Sequence, residues 1–112
     1  MKQLLAMIAF LGCVAMLFAH PASNIDASYS AQNKTLTISF DHKVGDPADH
    51  FIQGVEVRLN DRMIISQVNT AQDSETGGTF IYRIPNLRKN DVIKVTLICN
   101  KTGKRSASMI LK

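Results

Sequence analysis

Apolar and polar residues alternate along seven short segments of the chain, and turn-forming residues separate these segments. A period of two is typical of β-strands with one buried face, and no stretch after residue 19 shows the period of an amphipathic helix. The predicted strands span residues 25–31, 35–42, 51–60, 62–68, 79–84, 92–99 and 106–112. The dipeptide Asn60-Asp61 predicts a tight hairpin turn between the third and fourth strands.

The number and length of these strands favour one fold class. Seven short strands without helices are most economically arranged as two antiparallel sheets packed face to face, an all-β immunoglobulin-like sandwich. Hydrophobic residues make up 46% of the 112 residues, which is enough for one core of that size. The chain has no Trp and only one Cys within the predicted strands, so the disulfide and tryptophan of antibody domains are not expected.

The segment at residues 1–19, MKQLLAMIAFLGCVAMLFA, has a different composition. Lys2 precedes a nearly unbroken apolar run that ends at Ala19, as in a secretory signal peptide. The alternatives are a permanent membrane anchor, for which the run is barely long enough, and a lipoprotein signal around Cys13. We therefore expect a signal peptide at 1–19, one domain at 20–112, a periplasmic or secreted location, and membrane contact only through the signal segment.

The charge of the chain excludes one class of partner. It carries 13 Lys and Arg residues against 9 acidic residues, a formal net charge of +4. This balance is too mild and too dispersed for a surface that binds nucleic acid. No Gly-x-Ser-x-Gly motif frames a serine, so no nucleophilic triad is predicted either.

Removal of the signal peptide would leave one of the two cysteines in the domain. Cys13 lies within the signal, which leaves Cys99 alone in the domain. A single cysteine cannot form an intramolecular disulfide. Cys99 is therefore a buried apolar side chain, an intermolecular partner or a metal ligand.

Cys99 and the three histidines fall at the same end of the predicted sandwich. His42 continues the inward-facing positions of the second strand, and Cys99 those of the sixth. His50 opens the third strand and His20 precedes the first, and these strand ends share one pole of an immunoglobulin-like sandwich. Each residue alone is more simply a loop, core or terminal side chain. Together they predict a metal site with His20, His42, His50 and Cys99 as ligands.

The donor types determine which metals fit such a site. Imidazole and thiolate together suit iron, copper or zinc, and not calcium or magnesium. Binding requires neutral imidazoles and a thiolate, so it should weaken in acid. If cleavage after Ala19 makes His20 the N-terminus, its amine and imidazole could also chelate copper.

Charged residues beside the predicted ligands allow two further roles. Asp41, Asp46 and Asp49 could orient the imidazoles by hydrogen bonding, although solvated loop carboxylates are an equally good interpretation. Lys101 and Lys104 flank Cys99 and could steer a small anion toward the site. Ordinary basic turn residues are the alternative.

Two segments, HKVGDPADHFIQGVEV and ICNKTG, resemble the iron domain of desulfoferrodoxin and superoxide reductase. The resemblance covers most of residues 20–104. It implies an immunoglobulin-like sandwich and a mononuclear, non-haem iron with four equatorial imidazoles and an axial thiolate. It also implies that superoxide is reduced to peroxide with electrons from a donor protein.

The resemblance assigns a role to each candidate ligand. His42 and His50 match the histidines of the family's ligand loop, His20 its N-terminal ligand, and Cys99 its axial thiolate. Thr102 stands where the family has its last histidine. The resemblance thus implies an oxidoreductase of the superoxide reductase type with an incomplete ligand set.

A second resemblance competes with the first. The segments PADHFIQGVEVRLNDRMI and NKTGKRSASMIL also look like the sandwich subunit of the thiosulfate-oxidation carrier complex. That resemblance implies a non-catalytic periplasmic binding module, which docks a partner carrying sulfur intermediates and needs no metal. Cys99 fits this family less well, so the resemblance to the iron domain is preferred.

Overall fold

The computed structural model describes residues 20–112, and in this range the chain forms strands and turns only. The prediction of an all-β domain is therefore confirmed. The strands are β1 Ser23–Ser30, β2 Thr35–Asp41, β3 Ile52–Leu59, β4 Arg62–Val68, β5 Gly77–Arg83, β6 Val92–Cys99 and β7 Lys104–Ile110. The predicted signal peptide lies outside the described residues. Within those residues, no helix is long and apolar enough to span a bilayer.

The strands form two antiparallel sheets, as the sandwich prediction required. One sheet has the order β1-β2-β5, and the other has the order β4-β3-β6-β7. The predicted limits of β4 and β6 are correct to the residue, whereas β5 begins at Gly77, two residues earlier than predicted. Gly77 has φ +149°, and a Cβ there would clash with the Phe40 carbonyl oxygen. Glycine thus lets β5 pair closely with β2.

The core lies between the two sheets and follows directly from the alternation. Leu36 and Ile38 of β2 face Val55 and Val57 of β3 across this space, and all four are fully buried. Burying a side chain of this size contributes roughly 1.5–3 kcal/mol. This interface is therefore the main source of stability and fixes which face of each strand points inward.

Turn residues close the two ends of the strands. Asn60 and Asp61 have φ values of 48° and 68°, as the predicted hairpin between β3 and β4 requires. The Asn60 side chain accepts a hydrogen bond from Val92 N (2.9 Å) and donates one to Asp91 (3.0 Å). Hydrogen bonds from Arg88 N and Asn60 lower the pKa of Asp91. These contacts hold the pole of the sandwich that carries no histidine.

Truncating a side chain on the inner face of the first sheet should cost more stability than truncating one on its outer face. Leu36→Ala is expected to lower the free energy of unfolding by about 2–5 kcal/mol, because it leaves a cavity in the packed interface. Ile81→Ala is the matched control, since Ile81 lies on β5 with 67% of its surface exposed. Urea unfolding of both variants measures the difference. Equal losses in the two variants would contradict the assignment of the core.

Candidate metal centre

Two strand ends from different sheets bring the central residues together. His42 directly follows β2 and is only 1% exposed, while Cys99 is the last residue of β6 and is 5% exposed. The inward orientation predicted for both from the alternation is therefore confirmed. Ile52 pairs with Cys99 across the second sheet, which places His50, two residues earlier, beside the sulfur.

The donor atoms of His42, His50 and Cys99 lie within 4.8 Å of one another. His50 Nε2 is 3.2 Å from Cys99 Sγ, and the rings of His42 and His50 are perpendicular with centroids 4.8 Å apart. Zinc-like ions bind nitrogen and sulfur at about 2.0–2.3 Å, which sets two donors on one ion roughly 3–4 Å apart. The cluster could therefore hold a metal ion after small side-chain movements.

His20 lies beside this cluster. Ser23 pairs with Asp41, so the start of β1 lies beside the end of β2. The His20 ring centroid is 5.0 Å from that of His42 and 5.8 Å from that of His50. Its nitrogens face backbone oxygens, with Nδ1 3.0 Å from Pro21 O and Nε2 3.0 Å from Lys43 O. The structure thus brings three of the four predicted ligands together, and His20 would have to rotate to become the fourth.

A buried glutamine supports the site and was not predicted. Gln72 lies in the loop between β4 and β5 and is 8% exposed. Its Oε1 is 2.8 Å from His42 Nδ1, and its Nε2 donates to the carbonyl oxygens of His42 and Ser74 at 2.8 Å each. The loop is rich in turn residues and has no periodicity, so nothing in its pattern indicates that this side chain is buried.

The three nearby carboxylates form contacts with other loop residues and not with the imidazoles. Asp41 accepts a hydrogen bond from Asn24 (2.7 Å), and Asp46 accepts one from the backbone of Ala48 (2.9 Å). Asp49 forms an exposed ion pair with Lys101 at 3.4 Å. The imidazole of His42 is instead hydrogen-bonded to Gln72, so the interpretation of the three aspartates as loop carboxylates is the one that fits.

The turn between β6 and β7 wraps around the sulfur. Cys99 Sγ accepts a hydrogen bond from Lys101 N at 3.4 Å, and Cys99 N donates to Gly103 O at 3.0 Å. Gly103 has φ +83° and packs against Pro21, where a Cβ would lie 3.3 Å from the proline ring. These contacts hold the turn around Cys99 and fix the position of its sulfur.

The surroundings of His50 favour its neutral form. Burial is the largest cause that lowers its pKa below the ordinary value of 6.5, followed by the positive charges that His42, His20 and Lys101 can carry. Asp49 acts in the opposite direction with a smaller effect. A neutral imidazole is the form that coordinates a metal, so the site keeps His50 ready for binding at neutral pH.

Comparisons of the chain with protein-family models, curated proteins and solved structures found no match. Both resemblances described from the sequence therefore remain predictions. The fold and the cluster of His42, His50 and Cys99 are established from the structure alone.

The lowered pKa of His50 predicts the pH dependence of the metal-free protein. Unfolded His50 takes up a proton below pH 6.5 while folded His50 resists it, so stability is lost as the pH falls from 6.5 through the folded pKa. An NMR titration should place the His50 midpoint below 6.5. In urea unfolding, His50→Gln should remove part of the acid-induced loss of stability. A His50 midpoint at or above the ordinary value would contradict this account.

Proposed function

We propose that this protein is an exported iron-binding domain that reduces superoxide at a mononuclear His/Cys centre. The observation that carries the proposal is the convergence of His42, His50 and Cys99, whose donor atoms lie within 4.8 Å of one another. The proposed export rests on the composition of residues 1–19, and the proposed iron and reaction rest on the resemblance to desulfoferrodoxin and superoxide reductase.

The donor set is chemically suited to this metal. Imidazoles and a thiolate bind iron well, and an anionic sulfur ligand pushes electron density onto it. Cys99 supplies the sulfur, and His20 would add a third imidazole from a ring only 5.0 Å from that of His42. Thr102 offers no imidazole. The centre would therefore keep open positions for a small ligand.

Iron bound here would supply one electron, which with two protons converts superoxide to hydrogen peroxide, and a donor protein would return the electron. The residues around the cluster determine how the anion arrives. His42 and Cys99 are buried, whereas His20 and His50 are partly exposed, so approach is from the side of these two rings. The ammonium group of Lys101 adds positive charge there, offset in part by its ion pair with Asp49.

Loss of the sulfur should abolish the metal centre. After expression with iron, elemental analysis should find about one iron per chain, and the oxidised protein should show a visible thiolate-to-ferric band. Cys99→Ser should lose the band, most of the metal and the consumption of superoxide. Thr96→Val is the control: Thr96 lies on the same strand as Cys99, and the substitution removes its 2.8 Å hydrogen bond to Ser106 on β7. A colourless, metal-free wild-type protein would instead favour the non-catalytic docking module.

Restoring the missing imidazole should strengthen the centre. Thr102 is exposed in the turn between β6 and β7, three residues after Cys99. Thr102→His is expected to tighten Fe²⁺ binding and to speed superoxide reduction, and a gain of about 1.4 kcal/mol would appear as tenfold tighter binding. Thr102→Gln is the control for volume and polarity without an imidazole. Equal iron affinity in the two variants would count against the assigned position of the fourth histidine.

The geometry also favours a second candidate, a copper centre for electron transfer. Two histidines and one cysteine with a weak backbone oxygen ligand form the typical blue-copper donor set. Here His20 O lies 3.1 Å from His42 Nε2, beside the three donors. Electron paramagnetic resonance of protein purified from its natural source distinguishes the candidates. Copper gives a hyperfine pattern, whereas high-spin ferric iron gives a low-field signal.

A further inference from the structure

The orientation of the Gln72 side-chain amide is fixed by its neighbours. One end of the amide faces two carbonyl oxygens, those of His42 and Ser74, at 2.8 Å each. The other end faces Ile52 N at 3.2 Å. Carbonyl oxygens only accept hydrogen bonds and a backbone N–H only donates, so the first end is the NH₂ group and the second is Oε1.

This orientation determines where the ring proton of His42 sits. Oε1 of Gln72 lies 2.8 Å from His42 Nδ1 and can only accept, so Nδ1 must carry a hydrogen. A neutral imidazole has one ring proton. The lone pair is then on Nε2, the nitrogen that faces His20 O at 3.1 Å. Two acceptors face each other at this point, and a cation bound to Nε2 would remove the conflict.

We propose that Gln72 is a positioning residue, which fixes His42 in the Nδ1–H tautomer and so presents Nε2 to the metal. The inference rests on the metal site proposed above. The same oxygen accepts from Ile52 N, two residues after His50, and Gln72 N donates to Pro47 O in the loop between the two histidines. The backbone and side chain of Gln72 are therefore hydrogen-bonded to the segments that carry both imidazole ligands.

Two substitutions distinguish the effect of the Gln72 acceptor oxygen from the effect of its side-chain volume. Gln72→Met keeps the length of the side chain but removes the acceptor, so the ring proton of His42 should move to Nε2 in part of the metal-free molecules. Zn²⁺ affinity, measured by competition with a chromophoric chelator, should fall by about 10–100-fold. Gln72→Glu keeps an acceptor oxygen toward Nδ1, so it should retain the Nδ1–H tautomer and bind Zn²⁺ more tightly than Gln72→Met, since carboxylates also orient metal-bound histidines. It should lower stability, because its second oxygen replaces the NH₂ group that donates to His42 O and Ser74 O.

The tautomer is read from the ¹⁵N shifts of the His42 ring in metal-free protein. Tyr29→Phe is the matched control, because it removes a 2.6 Å hydrogen bond to Ile84 O far from the cluster. It should lower stability without changing the tautomer or the Zn²⁺ affinity. This control shows whether a general loss of stability is enough to produce the effects of Gln72→Met.

Three results would overturn the proposal. An Nε2–H tautomer in wild-type protein refutes it without any variant, even if Gln72→Met does not fold. Unchanged Zn²⁺ affinity in a folded Gln72→Met protein removes the positioning role and leaves the metal site intact. Failure of wild-type protein to bind Zn²⁺, whatever the tautomer, removes the metal site and the positioning role with it.

Discussion

The candidate metal site depends on the packing of two sheets whose strands end with inward-facing side chains at the same pole. Stacked sheets lie about 10 Å apart, so side chains directed inward from opposite sheets meet between them. His42 comes from the first sheet, and the pairing of Ile52 with Cys99 in the second brings His50 alongside the sulfur. A shift of one residue in the register of β6 would turn Cys99 outward and separate the three donors. The apolar interface that stabilises the sandwich is thus also what aligns the ligands.

Alternation in the sequence predicted those parts of the molecule that obey a period of two. It gave the seven strands, the sandwich, and the inward orientation of His42 and Cys99, because burial of one face is a local property of each strand. It gave no indication of Gln72, since burial of a loop side chain depends on which other loops share its pole. Topology places the loop between β4 and β5 at the histidine pole, but the backbone hydrogen bonds that hold it on the site, such as His42 N to Thr76 O and Val44 N to Glu75 O, cannot be inferred from the alternation. For the same reason, the sequence left open whether the nearby aspartates orient the imidazoles.

Each ring nitrogen of His20 and His42 has a polar neighbour, but there are more acceptors than ring protons to fill them. Every buried side-chain nitrogen and oxygen in the described range has a partner. Yet both ring nitrogens of His20 face the oxygens of Pro21 and Lys43, and both of His42 face oxygens of Gln72 and His20. Two neutral imidazoles carry only two ring protons for these four acceptors.

A metal ion at the cluster would remove one of these two mismatches, the one at His42. Bound to Nε2 of His42, it would replace a lone pair facing an oxygen by a bond, and it would convert the contact between His50 and Cys99 into shared coordination. The opposite pole has no such shortage, because each hydrogen bond between Asn60, Val92 and Asp91 joins a donor to an acceptor. The two ends of one sandwich therefore differ in how well their donors and acceptors match. Because binding energy at a site built by folding is also folding energy, metal should stabilise the histidine pole more than the other.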